Sequence, residues 1–209
     1  MLGLSTTELI GRIIVLIVAL TVHEFAHAWT ADQLGDDTPR MNGRLTLNPL
    51  AHLDPLGSLM LIIAGFGWAR PVMVNPYQLQ RRTPAGMMLV ALAGPFSNLV
   101  LAILAAIPFR AGVVSFGASS TFAAELLAQF IFINLILLFF NLIPVYPLDG
   151  EKVADYLLPP GGQAFLARIR PFGMYIILGL ILLGNFGGLD LLGTLIGRPA
   201  LSVFRLLTS

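Results

Sequence analysis

The stretch IIVLIVALTVHEFAH, residues 13–27, is an apolar run that ends in a His-Glu-x-x-His motif. Histidines four positions apart lie one turn apart on the same face of a helix, so the rings of His23 and His27 can both reach one Zn²⁺ ion. Glu24 follows the first histidine and lies close enough to deprotonate a water molecule held by that metal. The motif is typical of zinc metalloproteases, but this run is apolar enough for a bilayer.

The composition is that of a membrane protein. Of the 209 residues, 56% are hydrophobic and 11% are charged, and the mean hydropathy is +0.84. A soluble domain has roughly 25% charged residues, so we expect an integral membrane protein in a lipid bilayer, with a single domain over residues 1–209. The formal net charge of +1 gives no sign of nucleic-acid binding, and the absence of Cys excludes disulfides.

Long apolar segments predict the membrane spans. The first helix is expected to end near Gly35, a C-cap residue. Residues 189–207 are either a last, broken span or an interfacial helix. We therefore expect an all-α polytopic membrane protein with about five to six transmembrane helices. The main candidate segments are residues 5–34, 85–109 and 122–143, with a shorter and weaker one at 172–183.

The apolar run from Leu56 to Trp68 is too short to cross the bilayer. It has 13 residues, whereas a span needs ~20, so we expect a re-entrant or half-buried element. Residues 44–47 and 71–74 flank it and have the prolines and the alternation of short edge strands. They predict a small membrane-associated β-sheet.

The basic residues predict the orientation. If the first helix ends in the cytoplasm, eight of them lie on that side, and only Arg110 lies in an opposite loop between the main spans. This arrangement obeys the positive-inside rule if residues 56–68 do not cross. The His-Glu-x-x-His motif then lies near the cytoplasmic side. The eight residues are Arg40, Arg44, Arg70, Arg81, Arg82, Lys152, Arg168 and Arg170.

Two histidines do not complete a catalytic zinc site, which usually has three protein ligands and one open position. Asp149 follows the span at 122–143, where two prolines must disrupt a continuous helix and free the backbone to aim a carboxylate inward. His52 and Asp54 lie in the polar loop on the same side and compete for this role. By topology we favour Asp149 over His52.

Polar and titratable side chains beside a bilayer cost free energy unless they are used or paired. This cost favours a functional metal site over an accidental motif. Each candidate still has a structural alternative. Asp149 fits a solvated cap beside Gly150, and Asn98 fits interhelical hydrogen bonding among small residues.

Three motifs together resemble the site-2 protease family of intramembrane zinc metalloproteases, in its small prokaryotic branch. The similarity runs in the expected order from about residue 5 to 158, and the C-terminal helices, about residues 165–209, lie beyond it. The motifs are HEFAH at 23–27, AGPFSN at 93–98 and NLIPVYPLDG at 141–150, with further family-like segments at 48–57 and 67–72.

The resemblance implies an activity and a location. The activity is hydrolysis of peptide bonds in or near transmembrane segments of membrane-spanning protein substrates. The location is the plasma membrane of a prokaryotic cell. Larger relatives carry PDZ or CBS domains, for which we expect no room in this chain.

The resemblance also implies roles for individual residues. Glu24 is the general base, and Asn98 lies near the substrate or the oxyanion. We further expect an unwound substrate to bind by β-addition along the edge that contains Val72 and Val74. The implied ligands of one zinc ion per chain are His23, His27 and Asp149.

Two other functions fit the same residues. A membrane-embedded zincin that acts on soluble or loop peptides would cut a water-soluble peptide as readily as a helical membrane substrate. A non-catalytic metal-binding protein, such as a transporter, often shows internal hydropathy repeats, which this sequence lacks, and has no particular need for Glu24. The motifs encode neither the natural substrate nor the oligomeric state.

Overall fold

Helices make up most of the computed structural model, which describes residues 6–57, 68–116, 121–186 and 191–209. Short 3-10 turns lie at Pro49–Ala51 and Arg170–Phe172, and a π-helical turn at Gly193–Gly197 leads into the last helix. The helices are α1 (Thr6–Gln33), α2 (Thr38–Met41), α3 (Pro76–Arg82), α4 (Gly86–Arg110), α5 (Phe122–Asn141), α6 (Asp149–Leu157), α7 (Pro160–Ile169), α8 (Gly173–Phe186) and α9 (Arg198–Thr208).

Four segments of the described chain are long and apolar enough to cross a membrane. The prediction of an all-α polytopic membrane protein is confirmed, whereas five to six spans are not. The weak candidate at 172–183 gains its length by continuing from α7 through the 3-10 turn into α8. The four segments are Leu9–Gln33, Gly86–Arg110, Phe122–Asn141 and Pro160–Gly184.

The C-terminal helix α9 covers part of the ambiguous segment 189–207 and is not one of the four candidate spans. Its length is only 11 residues, and one of its faces carries the exposed Arg198 and Arg205. The opposite face, which includes Ala200 and Phe204, packs against the core of α4 and α5. This amphipathic pattern explains why the segment does not read as a fully apolar span.

The core of the bundle is formed by α1, α4 and α5. Helices α1 and α4 run antiparallel, since Asn98 bonds the carbonyl of Ala19 while Val90 lies beside His27. Small buried side chains let the helices approach closely. Those on α4 and α5 include Ala102, Ala106 and Ala124.

The end of α1 is a Schellman motif. Gly35 has φ +90°, its N–H donates to the carbonyl of Asp32 at 3.0 Å, and the N–H of Asp36 donates to that of Ala31 at 3.0 Å. Only glycine adopts this left-handed conformation without strain. The prediction that the helix ends near Gly35 is therefore confirmed.

The predicted β-sheet is not confirmed. Within the described ranges, residues 44–47 and 71–74 form no strand, and the one β-pairing is an isolated antiparallel bridge between Leu53 and Ala69.

The physical reason lies in the side chain of Arg44, which takes the place of a neighbouring strand. Its buried guanidinium donates to the carbonyls of Ala51, Arg70 and Pro71, the last at 2.6 Å. A side chain therefore binds the backbone carbonyls at the start of the second predicted strand, and Pro71 has no N–H to offer. The result is an extended segment at residues 71–74 that the side chain of Arg44 clamps at its first residue.

The re-entrant element predicted for 56–68 lies mostly at residues 58–67, outside the described residues. Its described flanks are nevertheless close together. Leu53 pairs with Ala69, and the N–H of Arg70 donates to the carbonyl of His52 at 2.7 Å. The chain on either side of the predicted element is therefore found at the same end of the bundle.

Candidate metal centre

Three side chains converge between α1 and α6. The Nε2 atoms of His23 and His27 are 3.0 Å apart, and Oδ2 of Asp149 lies 3.2 Å from the first and 3.3 Å from the second. Both histidines are buried, and the carboxylate is largely so. In the described part of the chain this is the one group of three such side chains able to hold a metal ion.

The local sequence explains how each ligand is placed. His23 and His27 share a face of α1 because they are four residues apart. Helix α5 ends at Asn141, ahead of the two prolines, as predicted, and Asp149 begins α6. A Cβ on Gly150 would overlap the carbonyls of Leu142 and Ile143 at the end of α5. Glycine therefore lets the start of α6, with its carboxylate, pack close to the bundle.

The outer nitrogens of both imidazoles are bound to oxygen acceptors. Nδ1 of His23 donates to Oδ1 of Asn98, and Nδ1 of His27 donates to the carbonyl of Val90, each at 2.7 Å. The carbonyl oxygen of Val90 can only accept a hydrogen bond, and in the observed orientation of the Asn98 amide its Oδ1 accepts as well. Each imidazole therefore carries its proton on Nδ1. Each Nε2 then presents a lone pair to the centre.

This protonation leaves three electron-pair donors facing one another. No proton lies between the two Nε2 atoms, and the buried Oδ2 of Asp149 accepts no hydrogen bond. A cation removes this repulsion. Ligands ~2.0–2.1 Å from a tetrahedral zinc ion lie ~3.3–3.4 Å apart, close to the observed 3.0, 3.2 and 3.3 Å. Two imidazoles and a carboxylate also match the donors that zinc prefers, so the residues present fit a zinc ion.

Gly94 of α4 forms the wall behind this centre. A Cβ at this position would overlap Nε2 of both His23 and His27. Only a residue without a side chain lets α4 pass this close to the ligands. Gly94 is not a residue that the sequence predicts for the site, although its place between Ala93 and Pro95 in a motif of small residues is a usable signal.

Asn98 is held from three directions. It is fully buried, its Oδ1 accepts from His23, and its Nδ2 donates to the carbonyl of Ala19 at 3.3 Å and to Oδ1 of Asn134 at 2.8 Å. These are the interhelical hydrogen bonds that the sequence allowed as an alternative. Asn134 was missed because nothing in its local sequence on α5 distinguishes it.

Glu24 lies beside the first histidine and is 9% exposed. It is not a member of the three-residue cluster. Its charge acts on Arg44: burial lowers the pKa of that guanidinium, and the negative charge of Glu24 acts in the opposite direction to raise it. The clamp on the extended segment is therefore electrostatically coupled to the carboxylate beside the metal ligands.

The side chains of His52 and Asp54, the other candidates for the third ligand, form hydrogen bonds within their own loop. His52 is fully buried and bonds the carbonyl of Thr46 through Nε2 at 2.7 Å. Oδ1 of Asp54 accepts from the N–H of Gly57 at 2.8 Å. Neither residue belongs to the cluster of possible metal ligands.

Val72 and Val74 do not belong to the cluster either. Both are half-buried, whereas Met73 between them is 65% exposed, so the side chains alternate as in a strand. Within the described residues, the backbone groups of residues 72–74 make no hydrogen bond. This edge is extended and has free donors and acceptors.

Glu151 links α6 to the last span. Its buried carboxylate accepts from Lys152 and from Arg170, the latter through Nε at 2.8 Å. Burial raises the pKa of Glu151, but the hydrogen bonds from the two cations outweigh it, so the pKa lies below its usual value. The ionised side chain ties the helix that carries Asp149 to the turn between α7 and α8.

Comparisons with known proteins agree on one family. The model of peptidase family M50 matches residues 111–184. A Bacillus subtilis protein named "Putative zinc metalloprotease YwhC" is 42% identical over 180 residues, which cover 83% of this chain and 82% of the relative. The mycobacterial proteins named "Putative zinc metalloprotease Rip2" are 34% identical in Mycolicibacterium smegmatis, covering 79% of this chain and 64% of the relative. The Mycobacterium tuberculosis protein of the same name is 35% identical, and the match covers 82% of this chain and 66% of the relative. No solved structure matches the chain significantly.

Proposed function

The chain belongs to the M50 peptidases, the site-2 protease family of membrane metalloproteases, and we propose that it hydrolyses peptide bonds in or near transmembrane segments of membrane-protein substrates. The observation that supports this proposal is the buried convergence of His23 and His27, on the candidate span Leu9–Gln33, with Asp149, which follows the candidate span Phe122–Asn141. A hydrolytic centre of this kind, built into spans, can meet a substrate that is itself in the bilayer.

The proposed ligands of one zinc ion per chain are His23, His27 and Asp149. When bound, zinc supplies a Lewis acid that polarises the scissile carbonyl and makes water easier to deprotonate. The carboxylate of Glu24 takes the proton from the attacking water and returns it to the leaving amine. Its low exposure keeps this proton transfer away from bulk solvent.

The geometry supports an orienting role for Asn98. The resemblance implies a contact with the substrate or the oxyanion, but the side chain is fully buried and its Oδ1 and Nδ2 are both engaged. A polar partner of this kind fixes the tautomer and the orientation of a metal-binding imidazole. We therefore propose that Asn98 orients His23 and does not contact the substrate.

The edge at Val72 and Val74 is the proposed substrate-binding element. The backbone of a helix is hydrogen-bonded to itself, so a substrate must unwind before its peptide bond is attacked, and unwound backbone needs new partners. The free donors and acceptors of residues 72–74 supply them by β-addition. The clamp of Arg44 on the carbonyls of Arg70 and Pro71 holds this edge in place.

Proline at Val72 or Val74 is expected to reduce cleavage of a membrane substrate by about fivefold. Each change removes one N–H donor, and a backbone hydrogen bond is worth about 1 kcal/mol. Zinc content, measured by metal analysis, is expected to stay at the wild-type level. Met73→Pro is the matched control, because the N–H of alternate residues faces the opposite edge. Unchanged turnover in both valine variants would rule out β-addition at this edge.

We further propose a single membrane-embedded domain in the plasma membrane, with the centre near the cytoplasmic side. The end of α1, helix α3 and the start of α6 all lie at one end of the bundle, because Asp36 at the end of α1 accepts from the N–H of Asn75 at 2.6 Å and Asp149 meets His27. The basic residues cluster on the same side, which the positive-inside rule assigns to the cytoplasm.

Single cysteines are clean probes of this topology, because the chain has none of its own. Thiols at Asp37, Arg81 and Gly161 are expected to react with an impermeant reagent from the cytoplasmic side, and one at Ser115 from the opposite side. All four positions are exposed, and a side chain at Gly161 meets nothing within 4 Å. Labelling of a cysteine at position 81 from the opposite side would show that residues 56–68 cross the membrane.

A comparison of two substrates tests the proposed activity. The purified protein, with its zinc content measured in parallel, is expected to cut a membrane-spanning substrate much faster than a water-soluble peptide of the same sequence around the cleavage site. Equal rates would favour a zincin that acts on soluble or loop peptides. Bound zinc without cleavage of either substrate would favour a non-catalytic metal-binding protein.

A further inference from the structure

A buried chain of hydrogen bonds crosses three spans and ends at the proposed metal centre. Asn134 of α5 donates through Nδ2 to the carbonyl of Phe130 and accepts through Oδ1 from Asn98, each at 2.8 Å. Asn98 of α4 in turn accepts from Nδ1 of His23 on α1 at 2.7 Å. Both asparagines are fully buried. The chain is therefore continuous from α5 to a candidate ligand.

We propose that Asn134 is a positioning residue for zinc binding, which acts through Asn98 to hold His23 in the tautomer that presents Nε2 to the metal. The inference rests on the proposed function, because it assigns a role toward the same zinc ion. It concerns a residue that touches neither the metal cluster nor a substrate.

The two ends of the Asn98 amide have different hydrogen-bonding roles toward His23. Its oxygen can accept from the Nδ1–H of His23, whereas its NH₂ group cannot, because two N–H groups would then face each other. A flipped amide would instead favour a proton on Nε2 of His23, where it blocks the lone pair that a metal needs. Correct metal binding therefore requires the amide in one orientation.

Asn134 selects that orientation. Its Oδ1 is an acceptor and holds the Nδ2 end of Asn98, while the remaining contact of Nδ2, to the carbonyl of Ala19, is longer at 3.3 Å. Without Asn134 only this longer bond opposes the flip. The orientation of Asn134 is fixed in its turn, because its own Nδ2 is bound to the carbonyl of Phe130 one turn earlier.

The membrane environment strengthens this selection. Asn134 and Asn98 lie in segments apolar enough to span a bilayer, where water is not at hand to replace a lost partner. An amide in the wrong orientation would leave polar groups unsatisfied on both sides, and each unsatisfied group costs about 1–3 kcal/mol. A fully satisfied network therefore favours a single arrangement of the three side chains.

The test is a double-mutant cycle on zinc affinity, measured by competition with a chelator on the intact protein in detergent. Asn134→Ala is expected to weaken zinc binding by about tenfold, the lower end of the usual 10- to 100-fold effect of losing a direct outer partner of a metal ligand, because Asn134 acts one contact further out. In an Asn98→Ala background the same change is expected to have little further effect, because Asn134 acts only through Asn98. Asn134→Leu, which keeps most of the side-chain volume, is expected to behave like Asn134→Ala.

The matched control is Gln129→Ala. Gln129 lies on the same helix and also carries a buried amide oxygen, but this oxygen has no hydrogen-bond partner among the described residues. Its removal takes a buried amide from α5 without touching the chain to His23, so zinc affinity is expected to stay within about twofold of wild type, since no outer partner of a ligand is lost.

Two results would overturn the inference alone. One is wild-type zinc affinity in both Asn134 variants, and the other is an equal loss of affinity in the wild-type and Asn98→Ala backgrounds, which is the behaviour of a merely structural residue. A wild-type protein that binds no zinc would instead overturn the proposed function, and this inference with it.

Discussion

Glu24→Gln is expected to abolish proteolysis while leaving about one zinc ion bound per chain. The amide keeps the size of the carboxylate but cannot accept a proton from water, and general-base catalysis is worth about 10²- to 10⁴-fold in rate. Zinc is retained because Glu24 is not among the three side chains that converge in the centre. Cleavage of a membrane-spanning substrate and metal analysis of the same preparation measure both effects.

Glu125→Gln is the matched control for this change. It makes the same substitution in the first turn of α5, at the end of the bundle away from the centre, and is expected to leave turnover near the wild-type level. Substantial activity in Glu24→Gln would remove Glu24 from the mechanism. Loss of zinc from that variant would instead make Glu24 part of what holds the metal.

Asp149→Ala is expected to lower both zinc content and activity, whereas His52→Ala is expected to keep the metal. The first change removes one of three donors and leaves the two Nε2 atoms facing each other without the negative charge that complements a cation. The second removes a side chain whose Nε2 bonds the carbonyl of Thr46, so its cost is to the loop, about 1 kcal/mol for the lost hydrogen bond. Metal analysis of both variants, with circular dichroism as the folding control, distinguishes the two residues.

The pair of variants decides the third ligand. If zinc survives the loss of Asp149 but not that of His52, then the ligand set is wrong and the loop that carries His52 must approach the histidines. If both variants lose zinc, circular dichroism decides whether His52→Ala has unfolded. Unfolding of the loop that carries His52 would also disturb the hydrogen bonds of Arg44, which lies near Glu24.

Much of the fold could be predicted because it follows from local rules. The lengths of the apolar segments predicted α4 and α5, and Gly35 predicted the end of α1. The predicted sheet failed for a reason that lies outside local sequence. Alternation and proline at residues 44–47 and 71–74 are compatible with strands, but the side chain of Arg44 in the first segment binds the carbonyls of Arg70 and Pro71, where the second strand would begin.

The sequence by itself determined the parts of the site that depend on helix periodicity and chain breaks. His23 and His27 share a face because four residues make one turn, and the prolines before Asp149 end α5. Tertiary structure decided what surrounds them. Gly94 backs the rings, and Asn134 reaches His23 through Asn98 across 36 and then 75 positions of sequence. Such contacts depend on how three helices align along their axes, which the packing of small side chains decides and no local pattern records.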